Sequence, residues 1–295
     1  MINRVFVFLF LLISVNGYSQ SLQWWADNVG WDGETHWSEY LIYSPKYTGP
    51  NAIPIPNIST GRLEKQTFLG IGTNYYYRSG DQTFNPAFYL NYNFLKDRIS
   101  VDLFMVPIEF YSVSHQRKTE RNVYYKFYHK KSAIGDVYIN TNIQILQASQ
   151  NKIDLALRIG LKTASSGLDN PARFIDSPGY YFDVSIGKTF QLNDLSFRPF
   201  GMLGFYAWQT NDESLRQNDA LLYGFGYEIE KQTWSLSQNL RGYSGYHHIG
   251  DKPVVLKTGA EKQLGNKTSI FFNYQYGIRD FLYQGFELGI QIDLK

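Results

Sequence analysis

The feature that most constrains this chain is an alternation of apolar and polar residues, which recurs from about residue 67 to the end. In the clearest segment, residues 284–294, every second residue is apolar. These apolar residues are Phe286, Leu288, Ile290, Ile292 and Leu294. A period of two indicates a β-strand with one apolar and one polar face, and none of the segments has helical spacing.

About twelve such strands are predicted, and an even number is typical of bacterial single-chain barrels. They lie near residues 67–78, 86–95, 98–112, 134–147, 152–163, 179–192, 195–209, 218–230, 233–246, 253–263, 268–279 and 282–294. In the third, the apolar phase switches between Met105 and Ile108, which predicts a bulge near Pro107. The predicted fold is all-β: a transmembrane antiparallel up-and-down β-barrel with a non-regular N-terminal segment.

The predicted connections alternate between short and long. The short ones are 96–97, 148–151, 193–194, 231–232 and 265–266. The longer ones are 79–85, 113–133, 164–178, 210–217 and 247–252. Outer-membrane barrels have tight periplasmic turns and long outer loops, so this sorting favours a barrel over a soluble sandwich and predicts that both chain ends are periplasmic.

Composition agrees with a barrel wall. Aromatic residues make up 17% of the chain, yet mean hydropathy is only −0.33, because the polar lumen face offsets the apolar lipid face. There is no cysteine, which excludes disulfides, thiolate metal sites and a lipoprotein anchor. A net charge of +2 is too small to indicate nucleic-acid binding.

The first residues predict export. A basic head ending at Arg4 precedes an apolar run over residues 5–15, and Gly17 and Ser19 suit a signal peptidase that cleaves after Ser19. The alternative is a membrane anchor, but the run is shorter than the roughly 20 residues that a spanning helix needs. The sequence therefore predicts a cleaved signal peptide over residues 1–19 and a location in the bacterial outer membrane.

Residues 20–61 do not alternate and precede the predicted barrel domain, residues 62–295. They contain four of the six tryptophans: Trp24, Trp25, Trp31 and Trp37. Exposed tryptophans are unfavourable in water, so we expect this segment to be docked. It is either a periplasmic lead-in at the barrel base or a plug in the lumen, and it could also bind a periplasmic partner.

The polar face of the predicted strands carries charges of both signs. The predicted lumen-lining residues are Asp102, Glu109, Asp136, Asp154, Arg158, Lys162, Asp183, Arg198, Glu228, Arg241, Lys257, Glu261, Arg279 and Glu287. A selective ion pore would favour one sign of charge. Mixed charges favour paired networks that fill a narrow lumen, and the alternative is that they line a path for a solute.

One predicted outer loop, residues 114–132, is basic and aromatic. Its cations are Arg117, Lys118, Arg121, Lys126, Lys130 and Lys131. In an exported barrel these residues could pair with the phosphates of lipopolysaccharide. The alternative is a solvated loop with extended strand ends.

No pattern indicates catalysis or a cofactor. The chain has five histidines, and the only His-x-Ser run, His36-Trp37-Ser38, lies in the non-alternating segment and is followed by Glu39. Outer-membrane phospholipases instead carry His-x-Ser-Asn on the barrel wall. Neither a metal-spaced cluster nor a phosphate loop is present, and a lipid-modifying enzyme is the least favoured alternative.

Residues 134–205 resemble a known family. Gly135-Asp136-Val137 opens an alternating strand, and the segments 154–163 (DLALRIGLKT) and 179–187 (GYYFDVSIG) follow, separated by a long loop. This order resembles the outer-membrane family associated with the meta-pathway of phenol degradation, although Thr163-Ala164-Ser165 replaces that family's Pro-Thr-Gly. The resemblance implies a channel-like barrel for aromatic or hydrophobic compounds and transfers no catalytic residue.

Together these observations predict a passive channel or carrier for small solutes, hydrophobic or aromatic ones included. Two alternatives remain from the sequence: a structural or envelope-anchoring barrel with a packed lumen, and a lipid-modifying enzyme.

Overall fold

The wall of the molecule is a single antiparallel sheet. The computed structural model describes residues 22–95, 97–166 and 172–294, so the predicted signal peptide lies outside the described residues. The strands are β1 (Phe68–Arg78), β2 (Asp81–Leu95), β3 (Ile99–Met105), β4 (Glu109–Val113), β5 (Ser132–Ala133), β6 (Val137–Leu146), β7 (Asp154–Lys162), β8 (Gly179–Gly187), β9 (Phe190–Leu192), β10 (Leu195–Gln209), β11 (Gln217–Lys231), β12 (Trp234–Ser244), β13 (Val254–Gln263), β14 (Thr268–Arg279) and β15 (Gln284–Asp293).

These fifteen segments form a closed barrel of twelve strands, because β3 continues into β4, β5 into β6 and β8 into β9. Strand β1 pairs with β2 on one side and with β15 on the other, so the sheet has no free edge. Closure pairs the edge strands with each other, so the sheet presents no row of unpaired backbone groups to lipid. The predicted fold is confirmed.

The outer face of the barrel is apolar. In β15 the alternate residues Phe286, Leu288, Ile290 and Ile292 are exposed, whereas Glu287 is buried. Leu203 on β10 and Phe225 on β11 are each about 60% exposed. Such a belt is unfavourable in water and favourable in lipid, so alternation in the sequence becomes a lipid-facing and a lumen-facing surface.

The bulge predicted near Pro107 is present. Phe88 of β2 lies opposite Met105, and Phe84 lies opposite Phe110, so three residues of β2 (85–87) face four (106–109). The extra residue reverses which face the following side chains point to. Before the bulge the even-numbered residues face the lumen, and after it the odd-numbered ones do. Glu109 is therefore buried in the lumen, whereas Phe110 is exposed.

The connections are sorted to the two ends of the barrel as predicted, with one exception. Residues 79–85 were expected to be a long loop, but β2 already begins at Asp81, and only Ser79 and Gly80 join it to β1. The prediction was wrong because Asp81, Thr83 and Asn85 are polar residues of a strand whose lumen face is polar.

Apart from the Ser79–Gly80 turn, which lies at the opposite end, the short connections lie at one end, which we call the short-turn end. One of them contains helix α3 (Ala148–Asn151). The opposite, long-loop end carries the connections between β4 and β5, β7 and β8, β10 and β11, and β12 and β13. The first of these contains helix α2 (His115–Glu120) and a 3-10 helix, Tyr125–Phe127.

The segment before β1 begins with helix α1 (Leu22–Val29) and a 3-10 helix, Trp37–Tyr40. Both lie at the long-loop end, where Trp25 donates a hydrogen bond to the carbonyl of Asn122 (3.2 Å). The chain then runs through the barrel to the short-turn end, where Asn91 of β2 donates to the carbonyl of Gln66 (2.6 Å).

Strand β1 begins and strand β15 ends at the short-turn end, as the sorting of the loops predicted. Helix α1, in contrast, lies at the other end. No helix among the described residues has the length and apolar character needed to cross a membrane.

Candidate functional site: the barrel lumen

Residues 41–66, which we call the lumen segment, occupy the interior of the barrel. Wall side chains donate hydrogen bonds to its carbonyls: Arg78 to Lys46 (2.8 Å), Tyr283 to Thr48 (3.3 Å), Tyr138 to Asn51 (3.3 Å), Tyr243 to Ile53 (3.1 Å), Arg198 to Thr60 (2.8 Å) and Gln144 to Gly61 (2.7 Å). Irregular backbone can lie at membrane depth because the protein supplies these partners.

The middle of the lumen segment is held by apolar contacts. Ala52 and Ile53 are fully buried and pack in one cluster with the wall residues Tyr206, Trp208 and Tyr243. The rings of Tyr206 and Tyr243 are 5.3 Å apart in an edge-to-face arrangement. These contacts give the lumen a hydrophobic core of its own, which a water-filled pore lacks.

Helix α1 and the following residues pack against the basic loop of residues 114–131 through aromatic rings. Trp25 contacts Tyr124 with ring centroids 4.9 Å apart, and Trp37 contacts Phe127 at 5.1 Å. The described tryptophans of this segment are therefore docked, and they are docked at the long-loop end.

A buried ionic cluster fills the lumen just below the long loops. Arg173 donates to both Asp81 (3.0 Å) and Glu109 (2.6 Å), and Arg121 donates to Asp81 (2.5 Å). Tyr283 also donates to Asp81 (2.6 Å). Both arginines come from long loops and both carboxylates come from the wall, so the cluster fastens two loops to the barrel interior.

Charge compensation in this cluster is close to complete. Burial alone would lower the pKa of Arg173, but the adjacent carboxylates of Asp81 and Glu109 raise it above its ordinary value. Asn51 of the lumen segment donates to the second oxygen of Glu109 (2.8 Å). Four charged side chains and one amide thus contact one another in the lumen.

Three further ion pairs lie in the lumen. Lys162 pairs with Asp136 at 2.7 Å, and neither side chain is exposed. The other two pairs are Arg158 with Asp183 (2.7 Å) and Arg198 with Asp154 (2.8 Å). At the short-turn end Arg62 of the lumen segment pairs with Glu228 (3.1 Å) and Glu230.

A cavity of about 330 Å³ remains between the lumen segment and the wall. One side of it is formed by residues 54–60 of the lumen segment. The wall side contributes aromatic residues, with the ring of Phe104 lying 5.2 Å from that of Tyr89 and 5.6 Å from that of Tyr138. Charged residues also line it: Arg62, Glu64, Asp102, Arg158, Arg241, Lys257 and Glu287.

Two carboxylates at this cavity, those of Asp102 and Glu287, already have partners. Asp102 accepts hydrogen bonds from Asn140 (2.5 Å) and Asn142 (2.7 Å). Glu287 accepts from Tyr89 and from Asn273 (2.9 Å), and Lys257 lies 3.6 Å from it.

Two predicted lumen residues are not enclosed. Glu261 and Arg279 lie on the lumen face of β13 and β14, but at opposite rims of the barrel, and both are exposed. The nearest ionic partner of Arg279 is its neighbour Asp280 at 3.7 Å. The sequence pattern gives the face of a strand but not the depth at which a residue lies.

The prediction for one cation of the basic loop is wrong. Arg121 was expected to face lipopolysaccharide, but it is only 3% exposed, because it turns into the lumen to pair with Asp81. Arg117 pairs with Glu120 (2.5 Å), and Lys118 donates to the carbonyl of Tyr128. The remaining cations stay at the surface or near it: Lys126, Lys130 and Lys131.

Several residues of the lumen were missed by sequence reasoning. Asp81 and Arg173 lie in stretches that the sequence pattern assigned to loops, and Arg62 lies at the boundary of the non-alternating segment. Asp81 could have been found by extending the alternation of β2 to polar residues. Nothing in the local sequence distinguishes Arg173 from a solvated loop arginine.

The histidines do not assemble a reactive site among the described residues. Nδ1 of His36 lies 2.8 Å from Oγ of Ser38, but the backbone N–H of Ser38 also approaches that nitrogen (3.4 Å), which is the geometry of a helix cap. His247 contacts the carbonyl of Gln217 (3.2 Å). The described residues contain no group of three or more metal-ligating side chains of the His, Cys, Asp and Glu types.

Comparison with known proteins gives the fold. No known protein family and no curated protein matches the sequence, so the resemblance to the phenol-degradation family remains a prediction. The NanC porin structure matches 77% of this chain and 100% of its own, with 12% identity and a TM-score of 0.50. This likeness shows an outer-membrane barrel fold.

Two other similar structures are described as channels. A channel from Pseudomonas putida F1 matches 80% of this chain and 98% of its own, with 11% identity and a TM-score of 0.48. CymD, a monoaromatic hydrocarbon channel, matches 86% of this chain and 99% of its own, with 8% identity and a TM-score of 0.41.

Proposed function

We propose that this chain is an outer-membrane channel for small solutes, in which the lumen segment acts as a plug. The observation that carries the proposal is the cavity of about 330 Å³ beside the lumen segment. A barrel that serves only as a scaffold has no reason to keep a space lined by polar and aromatic side chains, since filling it would add stability.

The position of the lumen segment supports a gating role. It is fixed by hydrogen bonds from wall side chains, and it is covalently joined to the wall only at β1, where Phe68 begins the strand. A segment tied at one end and held by reversible contacts elsewhere can shift without opening the barrel. Solute passage then depends on how far residues 41–60 move.

Conductance of the purified full-length chain in planar lipid bilayers tests this proposal. Two deletions are compared with the wild type. Removing residues 22–57 takes away most of the lumen segment, and we expect conductance to rise several-fold. Removing residues 22–40 takes away only the helices at the long-loop end and is the matched control, for which we expect a much smaller rise.

The alternative is a structural barrel, and the buried cluster around Asp81 and Arg173 favours it. Folding of each protein is checked by the heat-modifiable gel mobility of a folded barrel. If the folded wild type and both folded deletion variants show no conductance, a channel is contradicted and the scaffold is supported. An enzyme is not favoured by any arrangement of the described side chains.

The orientation that we propose places the short-turn end in the periplasm and the long loops outside the cell. Helix α1 then faces the exterior, so its tryptophans offer no surface to a periplasmic partner. The chain has no cysteine, so single substitutions can be labelled cleanly. In intact cells a membrane-impermeant maleimide should label Gln23→Cys but not Asn266→Cys in the turn between β13 and β14; the reverse pattern would invert the orientation.

We further propose that the exposed lysines of the basic loop contact lipopolysaccharide phosphates. Lys126 and Lys131 are exposed at the end of the barrel that faces outward in this orientation. The apolar belt would contact the lipid chains, and the lysines would contact the charged layer above them.

A further inference from the structure

We propose that the cavity beside the lumen segment binds a small aromatic carboxylate, with Arg241 as the residue that receives the carboxylate group. This inference rests on the proposed channel function and adds to it the charge and class of the solute. It is carried by the unusual surroundings of Arg241, by the state of the neighbouring carboxylates, and by the aromatic wall.

Arg241 lies on β12, lines the cavity and is 4% exposed. Its guanidinium donates to two neutral amides, Asn57 of the lumen segment (2.6 Å) and Gln275 of β14 (3.0 Å). Its Nε has no hydrogen-bond acceptor among the described residues. A nearly buried guanidinium therefore keeps both an unused donor and an uncompensated charge.

The other cations that line this cavity are compensated. Among the described residues, a carboxylate lies within 4 Å of Arg62 (Glu228 and Glu230), of Arg158 (Asp183) and of Lys257 (Glu287). Arg241 is the exception. A buried charge without a counter-ion is costly, and an anionic ligand beside Arg241 would supply the missing compensation.

Two nearby carboxylates, those of Glu287 and Asp102, are not free to serve as that counter-ion. Glu287 accepts hydrogen bonds from Tyr89 and Asn273 and lies beside Lys257, and Asp102 is held by Asn140 and Asn142. The planar fork of a guanidinium matches a carboxylate better than it matches two separate amides. An anion entering the cavity thus finds Arg241 with unused binding capacity.

The cavity also has an aromatic surface, formed by the rings of Tyr89, Phe104 and Tyr138. The ring centroid of Phe104 lies 5.2 Å from that of Tyr89 and 5.6 Å from that of Tyr138. Tyr181 continues the surface, with the Arg158 guanidinium 5.1 Å from its ring centroid. Such a surface favours a flat ring over an aliphatic chain or a hydrated sugar.

The size of the cavity limits the ligand. Its volume of about 330 Å³ is at the lower end of the roughly 300–1,000 Å³ that is usual for small-molecule sites. A single-ring acid such as benzoate is the class that combines this size with one carboxylate and one aromatic face.

Isothermal titration calorimetry of the full-length chain in detergent micelles tests the ligand class with three probes. Benzoate supplies ring and charge, benzyl alcohol supplies the ring alone, and inorganic phosphate supplies charge alone. We expect benzoate to bind at least about tenfold more tightly than either, the effect of one charge-assisted hydrogen-bond pair. Equal binding of benzyl alcohol overturns the anionic solute, and equal binding of phosphate overturns the aromatic one.

Variants test the role of Arg241. Arg241→Gln should weaken benzoate binding by about tenfold or more, and Arg241→Lys should weaken it less, because the charge is kept and the fork is lost. Arg216→Gln is the matched control, since Arg216 is exposed in the loop between β10 and β11. Unchanged benzoate affinity in Arg241→Gln overturns the assignment, and the wild-type comparison of probes remains decisive if that variant fails to fold.

The two proposals fail separately. Benzoate binding without any bilayer conductance would reject the channel while keeping the site. Conductance that benzoate does not block, together with absent binding, would keep the channel and reject the site.

Discussion

The two halves of the lumen differ in how their buried arginines are compensated. Near the long loops, Arg173 contacts two carboxylates, Asp81 and Glu109, and every member of that cluster has an ionic partner. Beside the cavity, Arg241 contacts only the amides of Asn57 and Gln275. The same kind of side chain is thus used in two ways within one barrel.

This difference separates stability from function in the lumen. A fully paired cluster fixes its neighbours, because removing any member exposes a buried charge. A guanidinium held only by neutral amides stabilises the fold less and remains available to a ligand. We therefore expect the long-loop half to be the closed part of the lumen and the cavity half to be the part where solute binds.

The largest expected effect is at Arg173. Replacing it with methionine leaves the carboxylates of Asp81 and Glu109 without their shared partner, so the free energy of unfolding should fall by about 3–5 kcal/mol. Urea unfolding of the variant in lipid vesicles, followed by tryptophan fluorescence, measures this loss.

The control for that variant is Lys231→Met, which breaks an ion pair with Asp194 (2.8 Å) between partly exposed side chains. Such a pair contributes at most about 1 kcal/mol. If the two variants lose equal stability, the buried cluster does not lock the loops.

A smaller effect is expected at Gly61, a residue of the lumen segment that packs against the wall near the cavity. Its φ is +85°, and a Cβ there would lie 2.6 Å from the backbone nitrogen of Gly187. Gly61→Ala should therefore cost about 1–3 kcal/mol, from backbone strain and collision together. Urea unfolding measures the loss.

Gly33→Ala separates these two causes. Gly33 has a similar φ of +88°, but nothing lies within 4 Å of the position of its Cβ. It should show only the cost of the backbone conformation, about 1 kcal/mol. If Gly61→Ala lowers the free energy of unfolding by no more than Gly33→Ala does, the lumen segment can move away from its contact with the wall.

Removal of the Arg241 side chain should cost less than removal of Arg173. Arg241→Met leaves two neutral amides without a donor but removes an uncompensated charge, so a net loss of roughly 0–2 kcal/mol is expected. The measurement is the same urea unfolding. A loss as large as that of Arg173→Met would remove the distinction between the two halves.

The smallest effect on stability is expected in the basic loop, outside both halves. Replacing Lys126, Lys130 and Lys131 together with glutamine should change the unfolding free energy by less than about 1 kcal/mol. Lipopolysaccharide that co-purifies with the protein should nevertheless decrease. Lys262→Gln with Lys267→Gln, at the short-turn end, is the matched control, and equal retention in both variants would reject the lipopolysaccharide contact.

The wall could be predicted from the sequence because successive residues of a strand point to opposite faces, so the two faces are visible in a short stretch of sequence. Residues 286–292 alternate in the sequence and alternate between lipid and lumen in the structure. The bulge at Pro107 was predictable for the same reason, since a change of phase requires an extra residue. Polar residues at both faces hid the first part of β2, where Asp81 lies.

The lumen could be predicted only in part. Pairs such as Lys162 with Asp136 follow from charges on facing strands. The partners of Asp81 could not be predicted, because Arg121 and Arg173 are 40 and 92 residues away in the chain and belong to loops without periodicity. The path of the lumen segment depends on carbonyl contacts, which no side-chain pattern records.

The course of the lumen segment also constrains the order of assembly. Its start lies at the long-loop end and its final residues at the short-turn end, so the ring of strands encircles a chain that passes from one opening to the other. Once β15 has paired with β1, withdrawal toward the short-turn end would drag helix α1 and its indole rings through the bore. We therefore expect the seam between β1 and β15 to close around the lumen segment only after that segment is in place.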